Sequence, residues 1–195
     1  MSTEKIKETF FDTMEEIASQ IKKNVNLINI NEIVYLIDLI IKIRNTGKTI
    51  FVYGAGRSGF IGRCFAQRLM HLGIKSCFIS DAVTYQYTNE DLLILISGSG
   101  ETTTPVSIAQ KAREIGGTIT LFSTNTTSKI ARVSDLIIKV EGKSKDVAKT
   151  QKSLAPYTSL FDISTLSILD SVCGTLMNIL EISEEFIDKR HATVE

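Results

Sequence analysis

Two glycine-rich stretches of the sequence combine residue types that can bind a phosphate without lysine. Gly54–Gly59 is a G-x-G-x-x-G, and Ser97–Pro105 places serines and threonines around two glycines. Glycine lets the backbone approach an anion, and the free N–H groups at the start of a following helix point at it. Hydroxyls add neutral donors to phosphate oxygens. The pattern predicts an anion-binding cradle with side-chain donors from Ser97, Ser99 and Thr102.

Two other interpretations of these stretches remain open at this point. Both could be tight connections between a strand and a helix, which is a better explanation for one such turn than for two at neighbouring strand ends. The first stretch is also the fingerprint of dinucleotide binding, and Asp81 follows the second predicted strand at the distance expected of a ribose-binding carboxylate. Against NAD binding, Arg57 and Ser58 place polar side chains in the turn, and two helical segments precede the first strand.

The elements that must position these stretches begin with two helices. Apolar residues recur at spacings of three and four along the first 47 residues, which is typical of amphipathic helices. We predict two leading helices over residues 1–47, of which the second ends at Gly47. The apolar stripe of the first helix consists of Ile6, Phe10, Met14, Ile17 and Ile21.

Five short apolar runs then alternate with helical patterns. The predicted strands are 49–53, 77–80, 92–96, 118–122 and 136–140, with helices over 58–72 and 104–115. Continuously apolar strands separated by helices indicate a doubly wound, five-stranded parallel sheet over 48–140. Closing helices are predicted over 158–190, with a long one at 158–180, so the chain forms a single domain over 1–195. Ligands of such sheets bind at the carboxyl ends of the strands, where both glycine-rich stretches lie.

The composition excludes several classes of protein. The chain has 22 Lys+Arg and 22 Asp+Glu, so it lacks the basic excess of a typical nucleic-acid-binding protein. The longest apolar run, Ile33–Ile41, is too short to span a bilayer, and the first 13 residues lack the apolar core of a signal peptide. Three scattered cysteines and two histidines, Cys64, Cys77, Cys173, His71 and His191, have no metal-ligand spacing. We predict a cytoplasmic protein that binds no metal, membrane or nucleic acid.

These motifs resemble a known family. The similarity lies in Gly54–Gly59, Gly62–Arg63, Arg68–Gly73, Ser97–Thr102, the tail Lys189–Ala192, and Glu195. They are similar to the 6-phospho-3-hexuloisomerases, a branch of the sugar isomerase (SIS) family. The serine-rich loop indicates only the broad family, whereas the first motif and the tail indicate the isomerase branch. The resemblance spans nearly the whole chain and implies the flavodoxin-like SIS fold.

The resemblance implies a cofactor-free interconversion of 3-hexulose 6-phosphate and fructose 6-phosphate through an enediol. It implies that Ser97, Ser99 and Thr102 hold the phosphate, and that Gly56, Arg57 and Ser58 face the sugar. Arg57 would stabilise the charge of the enediolate. The tail similarity implies a proton-transfer role for His191, in its own site or in that of a neighbouring subunit. The family resemblance also implies a homo-oligomer, specifically a tetramer, and the apolar leading and closing helices favour an oligomer.

The catalytic base implied by the resemblance is Asp162, although the sequence departs from the family pattern around it. The family has Pro-x-Gly-(Ser/Thr)-x-Phe-Glu, and this chain has Thr158 in place of the glycine and Asp162 in place of the glutamate. A carboxylate one methylene shorter needs a backbone adjustment, since a misplacement of about 1 Å costs roughly a hundredfold in rate. Residues 81–86 also depart from the family. A carboxylate at this place could instead only complement the helix dipole.

These departures keep two alternatives open. One is a non-catalytic sugar-phosphate-binding module, and the other is a different ketose–aldose phosphate isomerase. Four further polar residues are interpreted as structural rather than catalytic. His71, Arg63 and Arg68 lie on the helix after the first motif, and Glu101 lies in a loop where a carboxylate would repel phosphate.

Overall fold

The computed structural model describes residues 2–143 and 152–191. The helices are α1 (Thr3–Leu27), α2 (Ile30–Asn45), α3 (Arg57–His71), α4 (Thr103–Ile115), α5 (Ser159–Ile179) and α6 (Glu184–Asp188), with a 3-10 turn at Ala131–Val133. The strands are β1 (Ile50–Gly54), β2 (Ser76–Phe78), β3 (Leu92–Ile96), β4 (Thr118–Ser123) and β5 (Leu136–Lys139). The two leading helices, the five strands and the closing helices follow the order predicted from the sequence. The predicted polar stretch 141–151 falls mostly on residues 144–151, and Ala192 and Glu195 of the tail similarity lie at the chain end; both are outside the described residues.

The five strands form one parallel sheet in the order β2-β1-β3-β4-β5. This is the flavodoxin-like order, so the predicted fold class is confirmed. After β1 the chain forms β2 on one side of that strand and then β3 on the other side, so the strand order reverses between β1 and β3. Gly54 at the end of β1 is paired with Ile96 at the end of β3. The two glycine-rich stretches therefore start side by side at this reversal point.

Alternate residues of each strand enter two separate cores, which explains the continuously apolar runs. Ile50 and Val52 pack with α2, α3 and α5 on one face of the sheet, whereas Phe51 packs with α4 on the other. All five residues of β3 are buried. A strand buried on both faces needs an apolar residue at every position.

The long closing helix α5 belongs to the core of the domain. It packs against α1, α2 and α3, and Leu169, Val172 and Leu176 are fully buried. Its 21 residues are long and apolar enough to cross a membrane by composition alone, but half of that stretch is buried inside the fold. This is the packing of a core helix, and it brings the first turn of α5 to the carboxyl ends of β1 and β3.

Candidate active site

The first glycine-rich stretch forms a tight turn from β1 into α3. A Cβ atom on Gly54 would lie 2.6 Å from the Ser58 carbonyl oxygen, and one on Gly59 would lie 2.6 Å from the Gly54 oxygen. Gly56, which precedes α3, has a φ of 59°, a backbone conformation that favours glycine. The glycines of this motif therefore serve the close approach of helix and strand and the turn between them.

The second stretch forms a loop from β3 into α4, and its hydroxyls face the same crevice. Ser97 Oγ accepts the Gly100 N–H at 3.2 Å, and Ser99 Oγ accepts the Glu101 N–H at 3.2 Å. Each hydroxyl keeps its own O–H to donate to a ligand. Thr102 occupies the N-cap of α4, where its side chain caps no N–H of the helix.

A cavity of about 270 Å³ lies between these two loops and the first turn of α5. Its lining includes all six residues predicted to bind phosphate and sugar, together with Tyr157, Thr158 and Phe161. The six are Gly56, Arg57, Ser58, Ser97, Ser99 and Thr102. Of the described residues that line the cavity, only Arg57 carries a charge. The first turns of α3 and α4, both described in full, contain no acidic residue. Two helix N-termini and one guanidinium thus make the cavity attractive to an anion.

Asp162 is buried beside this cavity, and its carboxylate receives three hydrogen bonds from the described part of the chain. Its Oδ2 accepts Arg57 Nε at 3.0 Å and the Thr158 hydroxyl at 2.7 Å, and its Oδ1 accepts the Ser58 hydroxyl at 3.1 Å. The Asp162 side chain is 2% exposed, whereas that of Arg57 is 61% exposed. Arg57 lines this cavity, and together with Asp162 it lines a second recess of about 300 Å³, which includes Cys64. The carboxylate therefore lies under the arginine that separates the two spaces.

The segment that leads into α5 supplies site residues that the sequence reasoning missed. Tyr157 and Phe161 line the cavity. In the sequence, only the spacing of Pro156, Phe161 and Asp162 indicated this segment. Tyr157 has a φ of 34°, in the left-handed backbone region that residues other than glycine rarely adopt. The Ser159 N–H donates to the Pro156 oxygen at 2.8 Å and closes this turn. The turn sets the direction in which Thr158 and Asp162 enter the site.

Helix α1 holds both ends of the segment between β5 and α5. Glu16 Oε2 accepts the N–H groups of Leu154 and Ala155, each at 2.8 Å. Burial acts to raise the pKa of Glu16, but the hydrogen bonds from Ala155, Ser153 and Leu154 outweigh it and the pKa is lowered. At the other end, Asn24 bonds both the N–H and the carbonyl of Glu141 at 2.8 Å. These two polar residues of α1 therefore anchor Glu141 on one side and Leu154 and Ala155 on the other, and the latter two precede the turn at Tyr157.

His191 lies away from this cavity within the chain. Its ring lies against that of His71, with 4.2 Å between centroids and a tilt of 34°, at the end of α3 opposite to Arg57. His71 lies fourteen residue steps after Arg57 in α3, a distance of about 20 Å along the axis. His71 is buried, which lowers its pKa, and His191 and Arg68 lower it further. The structure thus brings together seven of the eight predicted residues and leaves His191 outside its own chain's site.

The remaining polar candidates are engaged in ion pairs. Arg63 pairs with Asp81 at 3.1 Å, so the carboxylate that NAD binding would require is already engaged in an ion pair. Glu101 accepts the Lys129 N–H at 2.9 Å and faces the Lys129 ammonium at 3.2 Å. The strand order also differs from the 3-2-1-4-5-6 order of nicotinamide-binding sheets. These contacts agree with the structural interpretation of Arg63 and Glu101 and give no support to NAD binding.

Comparison with known proteins gives consistent matches. The SIS domain family matches residues 42–165 of this chain. The 3-hexulose-6-phosphate isomerase of Methanocaldococcus jannaschii is 40% identical over 84% of this chain and 84% of its own length. That of Bacillus subtilis is 36% identical over 75% of this chain and 80% of its own length. A crystal structure from Methanococcus jannaschii, for which the same activity was inferred, is 37% identical with a TM-score of 0.80, over 93% of this chain and 98% of that one.

Proposed function

Because this chain belongs to the SIS domain family, and within it to the 3-hexulose-6-phosphate isomerases, we propose that it interconverts 3-hexulose 6-phosphate and fructose 6-phosphate. The observation that carries the proposal is a single cavity lined by both glycine-rich loops with a carboxylate–arginine pair at its edge. A volume of about 270 Å³ is close to the lower end of ligand pockets, about 300–1,000 Å³, and suits a small sugar phosphate.

The phosphate is held by the loop from β3 into α4. Ser97, Ser99 and Thr102 donate from their hydroxyls, and the uncapped start of α4 adds backbone N–H groups. The chain has no net charge, so long-range attraction contributes little to binding a phosphate dianion. The anion is therefore bound by these local donors. Gly56 and Ser58 then face the sugar carbons on the β1 side of the cavity.

The reaction moves the carbonyl from carbon 3 to carbon 2. A base removes the proton on carbon 2 of the 3-hexulose, the enediol forms, and the proton returns to carbon 3 while the hydroxyl proton moves between the two oxygens. We assign the base to Asp162, which pairs with Arg57 and accepts the hydroxyls of Ser58 and Thr158, three residues that line the cavity. Arg57 is exposed enough to turn toward the enediolate oxygen and stabilise its charge. These groups carry out the reaction without a cofactor.

The wild-type chain is expected to convert 3-hexulose 6-phosphate to fructose 6-phosphate in a coupled assay for the product. The alternative of a sugar-phosphate-binding module predicts a different result, namely thermal protection by fructose 6-phosphate with no turnover. A different ketose–aldose phosphate isomerase would turn over an aldose phosphate in preference to the 3-hexulose. Comparing rates on arabinose 5-phosphate and 3-hexulose 6-phosphate separates these cases.

We further propose that the protein works as a cytoplasmic homo-oligomer, a tetramer by family resemblance. The first half of α1 exposes Ile6, Phe10, Phe11 and Met14, which form an apolar surface on the single chain. Such a patch favours contact with another copy. Since His191 is remote from its own cavity, its proton-transfer role requires the site of a neighbouring copy.

Mixing two inactive variants tests the shared site. Asp162→Asn and His191→Ala are each expected to lose most activity. The mixed protein is expected to recover about a quarter of the wild-type rate, because after random assembly about a quarter of the sites combine an intact Asp162 with an intact His191 from the neighbouring subunit. The mixture is unfolded and refolded together, and its rate and sedimentation are measured. If His191→Ala alone keeps the full rate, or if the mixture gains nothing, His191 does not act across subunits.

A further inference from the structure

We infer that Thr158 is a positioning residue for the isomerisation, because its hydroxyl fixes the orientation of the Asp162 carboxylate. The inference deepens the proposed function and rests on it. Thr158 Oγ1 donates to Asp162 Oδ2 at 2.7 Å, the shortest of the three hydrogen bonds that the carboxylate accepts. Thr158 also lines the cavity, so the contact lies at the boundary between the ligand and the base.

The position of Thr158 in the helix makes this contact unusual. Thr158 is the N-cap of α5, and a threonine there usually accepts an N–H from the second or third residue of the helix. Its side chain makes no such cap bond in this helix. Instead it donates to Asp162, while its carbonyl accepts the Asp162 N–H at 3.0 Å. The hydroxyl therefore serves the carboxylate and not the helix terminus.

Thr158 is the more rigid of the two donors to Oδ2. Arg57 reaches the same oxygen through a long side chain that is 61% exposed, and it is the group expected to turn toward the substrate. Thr158 is half-buried and β-branched, so its side chain has one rotatable bond and few accessible rotamers. It is also tied to the turn that Tyr157 and Ser159 form. When Arg57 moves, Thr158 and Ser58 keep the carboxylate aimed.

This role predicts an effect on the chemical step and not on binding. A misaligned base slows proton transfer, whereas the phosphate is held by the other loop. Thr158→Val keeps the shape of the side chain and removes the hydroxyl. Misplacing a catalytic group by about 1 Å can cost roughly a hundredfold in rate, so kcat is expected to fall about tenfold or more with little change in KM. Thr158→Ser is expected to restore most of the wild-type kcat.

The experiment measures kcat and KM for wild type, Thr158→Val, Thr158→Ser, Asp162→Asn and the Thr158→Val/Asp162→Asn double variant. Thr175→Val is the matched control, since Thr175 is an exposed threonine of α5 whose hydroxyl donates to the Ser171 carbonyl of its own helix. Protection against thermal unfolding by fructose 6-phosphate verifies that each variant is folded. If Thr158 acts through Asp162, removing its hydroxyl has no further effect on the slow rate of Asp162→Asn.

Three results would overturn the inference while leaving the proposed function intact. Thr158→Val could match the wild-type kcat, it could raise KM alone as a substrate contact would, or it could lower the rate equally with and without the Asp162 carboxylate. A wild-type chain that binds fructose 6-phosphate and turns nothing over would instead overturn the proposed function, and this inference with it.

Discussion

Replacing Asp162 with asparagine is expected to lower kcat for 3-hexulose 6-phosphate by a factor of about 10²–10⁴, the usual contribution of a positioned general base. Asparagine has nearly the shape of aspartate. Its amide oxygen accepts one of the two hydroxyls of Ser58 and Thr158, and its NH2 group donates to the other, so the start of α5 keeps its geometry. It cannot take up the proton from the sugar carbon. Fructose 6-phosphate is expected to bind within a few-fold of wild type, because its phosphate contacts lie on the other loop.

Asp170→Asn is the matched control for this variant. Asp170 lies on the same helix and also faces an arginine, Arg68, at 3.8 Å, but it is exposed and distant from the cavity. It is expected to keep the wild-type rate. Incorporation of solvent deuterium into recovered substrate measures proton removal separately from product formation. If Asp162→Asn keeps the full rate or the full exchange, the base lies elsewhere and Asp162 only anchors Arg57.

The fold was predictable because its determinants are local. The inner strands β1, β3 and β4 are buried on both faces, so their sequences are largely apolar runs, and the turns between strands and helices need glycines that are visible as such. Between β1 and α3 there is no room for a Cβ atom on Gly54 or Gly59. Both positions therefore require glycine, and the spacing of these glycines marks the turn in the sequence. Only the ends of elements differ, as in β2, which begins at Ser76 and not at Cys77.

The site was predictable where it depends on loops at strand ends, and not where it depends on packing between distant segments. Parallel strands bring their carboxyl ends to one edge, so Ser97 and Arg57 were expected to meet there. The left-handed backbone of Tyr157 has no comparable sequence signal, since it is imposed by the turn closed by Ser159 and by the contact of Glu16 with the preceding residues. The place of His191 beside His71 depends likewise on a contact between residues that are distant in the sequence.

Replacing Thr102 with aspartate is expected to abolish sugar-phosphate binding while making the folded chain slightly more stable. The Thr102 side chain leaves the start of α4 uncapped, and no acidic residue lies in its first turn. Aspartate at this place accepts a helix N–H and interacts favourably with the dipole, which contributes about 0.3–1 kcal/mol. In a domain of this size that raises the Tm by roughly 1–4 °C.

The same carboxylate repels the phosphate that the loop would otherwise hold. Two like charges about 4 Å apart at an effective dielectric of 20 repel by about 4 kcal/mol, and a hundredfold loss of affinity needs only about 2.7 kcal/mol. Gln110→Glu adds an equal charge about 12 Å further along α4 and is expected to leave binding unchanged. Calorimetry with fructose 6-phosphate and thermal unfolding measure the two opposite effects on one sample. An aspartate variant that is stabilised and still binds fructose 6-phosphate like wild type would place the phosphate at another part of the cavity, because a charge on the helix N-cap cannot be close to a dianion and leave its affinity unchanged.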